Sequence, residues 1–102
     1  MTVEEILIDN GYEGIMTFTG PDYDDALIGV SDDNRAIYDF DLMVESLVDH
    51  DDMTYEEAIE WIEYNTIRAL PYAGSSAPII MYRLERRVWV RRIKKLMLTL
   101  IQ

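Results

Sequence analysis

The sequence predicts a small α+β domain: an antiparallel sheet of three to four strands with two to three helices packed on one face. Three observations lead there. Two Thr-x-x-Glu capping patterns, at Thr2-Val3-Glu4-Glu5 and Thr54-Tyr55-Glu56-Glu57, open stretches that read as helix. Two β-rich runs flank the turn residues Ser31-Asp32-Asp33-Asn34, the signature of a hairpin. An apolar fraction of 49%, with eleven aromatics in 102 residues, suffices for one core near the small end of domain size.

The elements follow in order. Residues 3–9 form a short helix behind Thr2, stopped by Asn10-Gly11. Residues 14–19 are β-rich and end at Gly20-Pro21. Residues 26–30 and 35–40 are the hairpin strands. Asp41 is placed to cap a second helix, whose buried stripe is Met43, Val44, Leu47 and Val48, and Asp49-His50-Asp51-Asp52 breaks it. A third helix runs from Tyr55 to Leu70, with Ala58, Ile59, Ile62, Thr66 and Leu70 on one face and Glu56, Glu57, Glu60 and Glu63 on the other. Pro71 ends it. Residues 77–82 read as a last, edge strand, because Pro78 stands near its start. From Leu84 onward, apolar residues at helical spacing with basic residues between them predict a basic amphipathic helix.

Charge divides the chain at the same point. Residues 1–82 hold nineteen Asp and Glu against Arg35 and Arg68, a net of −17; residues 83–102 hold seven Arg and Lys against Glu85, a net of +6. The predicted organisation is therefore an acidic domain over 1–82 and a basic tail over 83–102, which either docks on the acidic body as part of the same single domain or serves as an oligomerisation helix; docking on the neighbouring acidic surface ranks first because it needs no third molecule. Folding alone does not require such a split; it governs association. Residues 1–82 should be repelled by nucleic acid, since phosphates are bound by displacing counterions with Lys and Arg. The chain has no cysteine, which removes disulfides, thiolate metal sites and cysteine nucleophiles. The start, MTVEEILIDN, has no basic n-region, and no apolar stretch approaches the ~20 residues of a membrane span. The expected protein is soluble and intracellular, and the lack of cysteine fits a reducing cytoplasm.

Pro21-Asp22-Tyr23-Asp24-Asp25-Ala26-Leu27-Ile28-Gly29-Val30, Tyr38-Asp39-Phe40-Asp41-Leu42-Met43 and the run from Met53 to Tyr72, above all its end EYNTIRALPY, resemble a family of small acidic proteins encoded by phages and prophages and usually left uncharacterised. The resemblance covers residues 14–82; the basic tail looks like an extension beyond it. It brings no activity with it. What it implies is context: small accessory phage proteins bind and block host machinery, including restriction and CRISPR nucleases.

The residues themselves bear on three kinds of site. Carboxylates on a rigid helix can stand in for a nucleic-acid backbone, because duplex DNA carries one charge per ~1.7 Å and helical residues rise ~1.5 Å each. Glu56, Glu57, Glu60 and Glu63, extended upstream by Asp49, Asp51 and Asp52, give such a row; Trp61 and Tyr64 read equally as an aromatic patch of the kind enriched at interface centres or as residues packed under the tail helix. The plainer reading of the same acids is a solvated, solubilising surface. A metal site fares worse. Asp49 as the first position of a calcium loop puts Met53 and Thr54 where a ligand and a Gly belong. Catalysis has no support at motif level: no nucleophile elbow, one His and no phosphate loop.

The expectation is thus a non-catalytic protein with no metal or cofactor. Its acidic face would occupy the basic, nucleic-acid-binding groove of a host protein such as a nuclease. The first alternative is a structural or regulatory protein that self-associates through the C-terminal helix. The second is a small enzyme or small-molecule sequestering protein with Tyr12, Tyr23, Tyr38 and Tyr72 lining a pocket. Arg68, alone among acids on the long helix, is expected to pair with Glu63, Tyr64 or a nearby Asp.

Overall fold

A computed structural model describes residues 2–19 and 23–84. The fold is α+β, as the patterning predicts. Three α-helices, α1 (Val3–Asp9), α2 (Phe40–Asp51) and α3 (Tyr55–Trp61), accompany a sheet of β1 (Leu27–Val30), β2 (Ala36–Asp39) and β3 (Ile79–Met81), in the order β1-β2-β3. The sheet is mixed rather than wholly antiparallel. β1 and β2 pair antiparallel, but β3 pairs parallel to β2, with Ile37, Tyr38 and Asp39 opposite Ile79, Ile80 and Met81. A parallel neighbour needs a long crossover, and α2 and α3 provide it.

Both helix starts marked by Thr form as read. The Thr2 hydroxyl accepts the Glu5 N–H at 3.2 Å. At α3 the capping box is complete: Thr54 Oγ1 accepts from Glu57 N (3.1 Å) and Glu57 Oε1 accepts from Thr54 N (3.2 Å). The hairpin also forms. Asn34 takes a left-handed conformation (φ 61°), and Arg35 N donates to Ser31 Oγ at 3.0 Å. Leu27 faces Tyr38 and Gly29 faces Ile37, so Ile28 is an extra residue, a bulge beside a glycine that adapts easily to it.

Four boundaries differ from the sequence expectation. Residues 14–19 form no strand: both edges of β2 are taken by β1 and β3. The segment attaches through side chains instead, the Phe18 N–H donating to the Tyr38 hydroxyl (3.1 Å) and the Phe18 ring lying 4.6 Å from that of Tyr38. Asp39, not Asp41, caps α2: it is the last residue of β2, and its Oδ1 accepts the Leu42 N–H at 3.2 Å. Asp49, His50 and Asp51 belong to the last turn of α2, which ends at Asp52 in a left-handed conformation (φ 54°). The helix expected over 55–70 is α-helical only to Trp61. It continues as one π turn (Ile62–Thr66) and a 3₁₀ segment (Ile67–Ala73) that passes through Pro71 and stops at Gly74, whose φ is 86°. The Asn65 side-chain amide donates to the Trp61 carbonyl at 3.0 Å. A side chain intruding on the i→i−4 ladder is a known cause of such a widening.

The core is Tyr23, Ala26, Ala36, Tyr38, Met43, Val44, Leu47, Ala58 and Ile62. It joins the sheet to α2 and α3 and takes in Ala26, the buried end of the 3₁₀ turn Asp24–Ala26. The basic helix expected beyond Leu84 lies outside the described residues. No helix among the described residues is long and apolar enough to cross a membrane.

Candidate acidic interface

Helices α2 and α3 pack against one another and are joined by only three residues, 52–54. The sequence therefore concentrates carboxylates at one corner. Asp49 and Asp51 close α2, Asp52 caps it, Glu56, Glu57 and Glu60 lie on α3, and Glu63 opens the π turn. All seven side chains are exposed. Among the described residues, none of the seven forms an ion pair. Glu63 follows directly on α3, since Trp61 and Ile62 keep α-helical dihedrals.

Aromatic and acidic candidates meet in one place. Glu57, Glu60, Trp61 and Tyr64 share a shallow depression of about 370 Å³ with Met53 and Asn65. Residues 53, 57, 61 and 65 recur every fourth position, a stripe visible in the sequence once the helix is granted. Met53 and Asn65 were nonetheless missed, because neither carries charge or aromatic character. Trp61 is half-buried and packs on the core, whereas Tyr64 is 70% exposed. Arg68 stacks on Tyr64, its guanidinium carbon 4.9 Å from the ring centroid, which resolves its expected partner as an aromatic ring.

The other described arginines are structural. Arg35 Nε donates to the Ala77 carbonyl at 2.8 Å, tying the hairpin to the approach of β3. Arg83, the first residue of the basic stretch, contacts the folded body. Its Nε donates to Asp39 Oδ2 at 2.8 Å and lies 3.7 Å from Asp41, while the neighbouring Tyr82 ring sits 4.9 Å from Phe40. The hydrogen bond to Asp39, then that residue's charge, raise the pKa of the Arg83 guanidinium. Sequence spacing gave no signal for this contact, since 44 residues separate the partners.

The four tyrosines considered for a pocket do not come together. Tyr23 and Tyr38 are sealed in the core, the first sharing a hydrogen bond with Thr66 (3.1 Å) and the second accepting from Phe18. Tyr72 is 91% exposed, and Tyr12 lines grooves beside α1. Among the described residues, no three His, Cys, Asp or Glu side chains group as metal ligands. Comparison with known proteins finds no matching family, no matching curated protein and no matching solved structure.

Proposed function

We propose that this chain is a non-catalytic protein of phage or prophage type, acting in the bacterial cytoplasm, that binds a host protein and blocks it. Its acidic corner occupies a basic groove built for nucleic acid; an anti-CRISPR or anti-restriction role is the concrete form. One observation carries this reading: seven exposed carboxylates lie on two packed helices, the three-residue turn between them and the π turn that follows, and no described cation forms an ion pair with them. Carboxylates spent on solubility need only be exposed. A set without an ion-pair partner among the described residues, held on two packed helices, offers a cationic cleft a preformed array, which favours fast, salt-sensitive association.

The test is capture from a bacterial lysate on the immobilised full-length chain, at low and high salt and with duplex DNA as competitor. A groove-binding protein should leave the matrix as salt rises, with retention falling about tenfold or more, and duplex DNA should displace it. Replacing Glu56, Glu60 and Glu63 together by Gln should mimic high salt. Retention indifferent to salt, to duplex and to the triple substitution would end this proposal.

A further inference from the structure

The depression on α3 has the chemistry of a cation receptor. One wall is aromatic, Trp61 and Tyr64; two carboxylates, Glu57 and Glu60, border it; Met53 and Asn65 complete it. Its parts are held in place before any ligand arrives. Glu57 is pinned by the capping box through Oε1. Trp61 packs on the core. The Asn65 amide is committed to the Trp61 carbonyl, which leaves Asn65 Oδ1 as an acceptor for an N–H. Prior ordering lowers the entropy cost of binding.

We propose that this depression is a subsite for an arginine side chain presented by a partner protein. The inference rests on the acidic-face reading and makes it specific. Charge complementarity selects a cation, and the aromatic wall selects among cations. A guanidinium is planar, weakly hydrated and carries several N–H donors. It can stack on a ring while donating to two separate carboxylates, which a compact, strongly hydrated ammonium does less well. A guanidinium already stacks on the same ring, that of Arg68 on Tyr64. A hard metal ion fits poorly, because Met53 and the Trp61 ring supply no oxygen for it and, among the described residues, no three acidic or histidine side chains group as its ligands. An apolar ligand would strip water from Glu57 and Glu60 without replacing it.

The experiment titrates the full-length chain with capped tri-arginine and follows the Trp61 indole N–H by NMR, assigned apart from the second indole, that of Trp89, with a Trp89→Phe variant. Capped tri-lysine and tri-citrulline, the latter a neutral isostere of arginine, are the comparison probes. The Trp61 signal should move saturably with tri-arginine, more weakly with tri-lysine and not with tri-citrulline. Glu60→Gln and Tyr64→Ala, both exposed positions, should each weaken binding about threefold or more. Asp32→Asn, on the hairpin turn, should leave the affinity unchanged. An unmoved Trp61 signal, or equal affinities for wild type, Glu60→Gln and Asp32→Asn, overturns the subsite. So does a Trp61 signal that Glu60→Gln shifts without peptide while tri-arginine has no effect, because the chain's own cations would then fill the site. The two proposals fail separately: retention sensitive to salt and duplex with a silent Trp61 removes only the arginine subsite. Tri-arginine binding with retention indifferent to both removes only the groove-occupying role.

Discussion

Tyr23 and Tyr38 have the most altered environments of any tyrosines in the described fold, 2% and 0% exposed. Burial raises both phenol pKa values; hydrogen bonds from Thr66 and Phe18 oppose it, and the charges of Asp51 and Asp24 add to it. A pKa raised on folding means that the native state holds its proton more tightly. The corresponding stability is complete below the unfolded value of about 10 and is lost as pH rises through the folded one. Stability should therefore show no tyrosine-linked slope at neutral pH and should fall above about pH 10. Denaturant unfolding across that range checks it. Tyr38→Phe should be less stable throughout, because the Phe18 N–H loses its acceptor, but its alkaline slope should be shallower. An unchanged slope would show that this phenol does not drive the alkaline loss.

At the scale of elements, α2 is built against its own electrostatics at one end. A helix C-terminus carries partial negative charge, yet α2 finishes with Asp49 and Asp51, and Asp52 follows in a left-handed conformation that glycine adopts at less cost. Asp51→Asn should stabilise the fold by about 0.3–1 kcal/mol at low ionic strength, and the gain should shrink in high salt. Thermal melts at two salt concentrations test this. A destabilised variant would mean that Asp51 makes a favourable contact instead. Such a gain would identify the corner as one where stability is sacrificed, a pattern expected where charge serves binding. Elements with local signals were readable in the sequence. The Thr2 and Thr54 caps, the Asn34 turn and the apolar stripe of α2 depend on residues within a turn of one another. The misread elements depend on distant partners. Residues 14–19 have strand composition, but what holds Phe18 is a hydroxyl twenty residues away. The π turn answers to Asn65 and to Thr66, which is held by Tyr23. Part of the candidate site was legible for the same reason: acids and aromatics could be named, but their convergence with Met53 and Asn65 needed the helix geometry.

For the whole molecule, the mixed sheet sets an order of stability. β2 is central, paired on both sides, and holds Ala36 and Tyr38 of the core. Its paired amides should exchange with solvent slowest, at rates approaching global unfolding. The 3₁₀ segment Ile67–Ala73, without a buried residue, should open locally and exchange faster. Hydrogen-exchange NMR would show this ranking; equal protection of the two regions would argue for a single cooperative unit.

The parallel seat of β3 also bears on biosynthesis. A ribosome delivers β2 long before β3, so the nascent chain carries one bare flank of its central strand until residues 79–81 emerge. The Arg83 contact with Asp39 arrives later still. A message cut short before codon 79 would thus yield a product with an open sheet edge and a caps-bearing carboxylate deprived of its counter-charge, a natural target for proteolytic clearance.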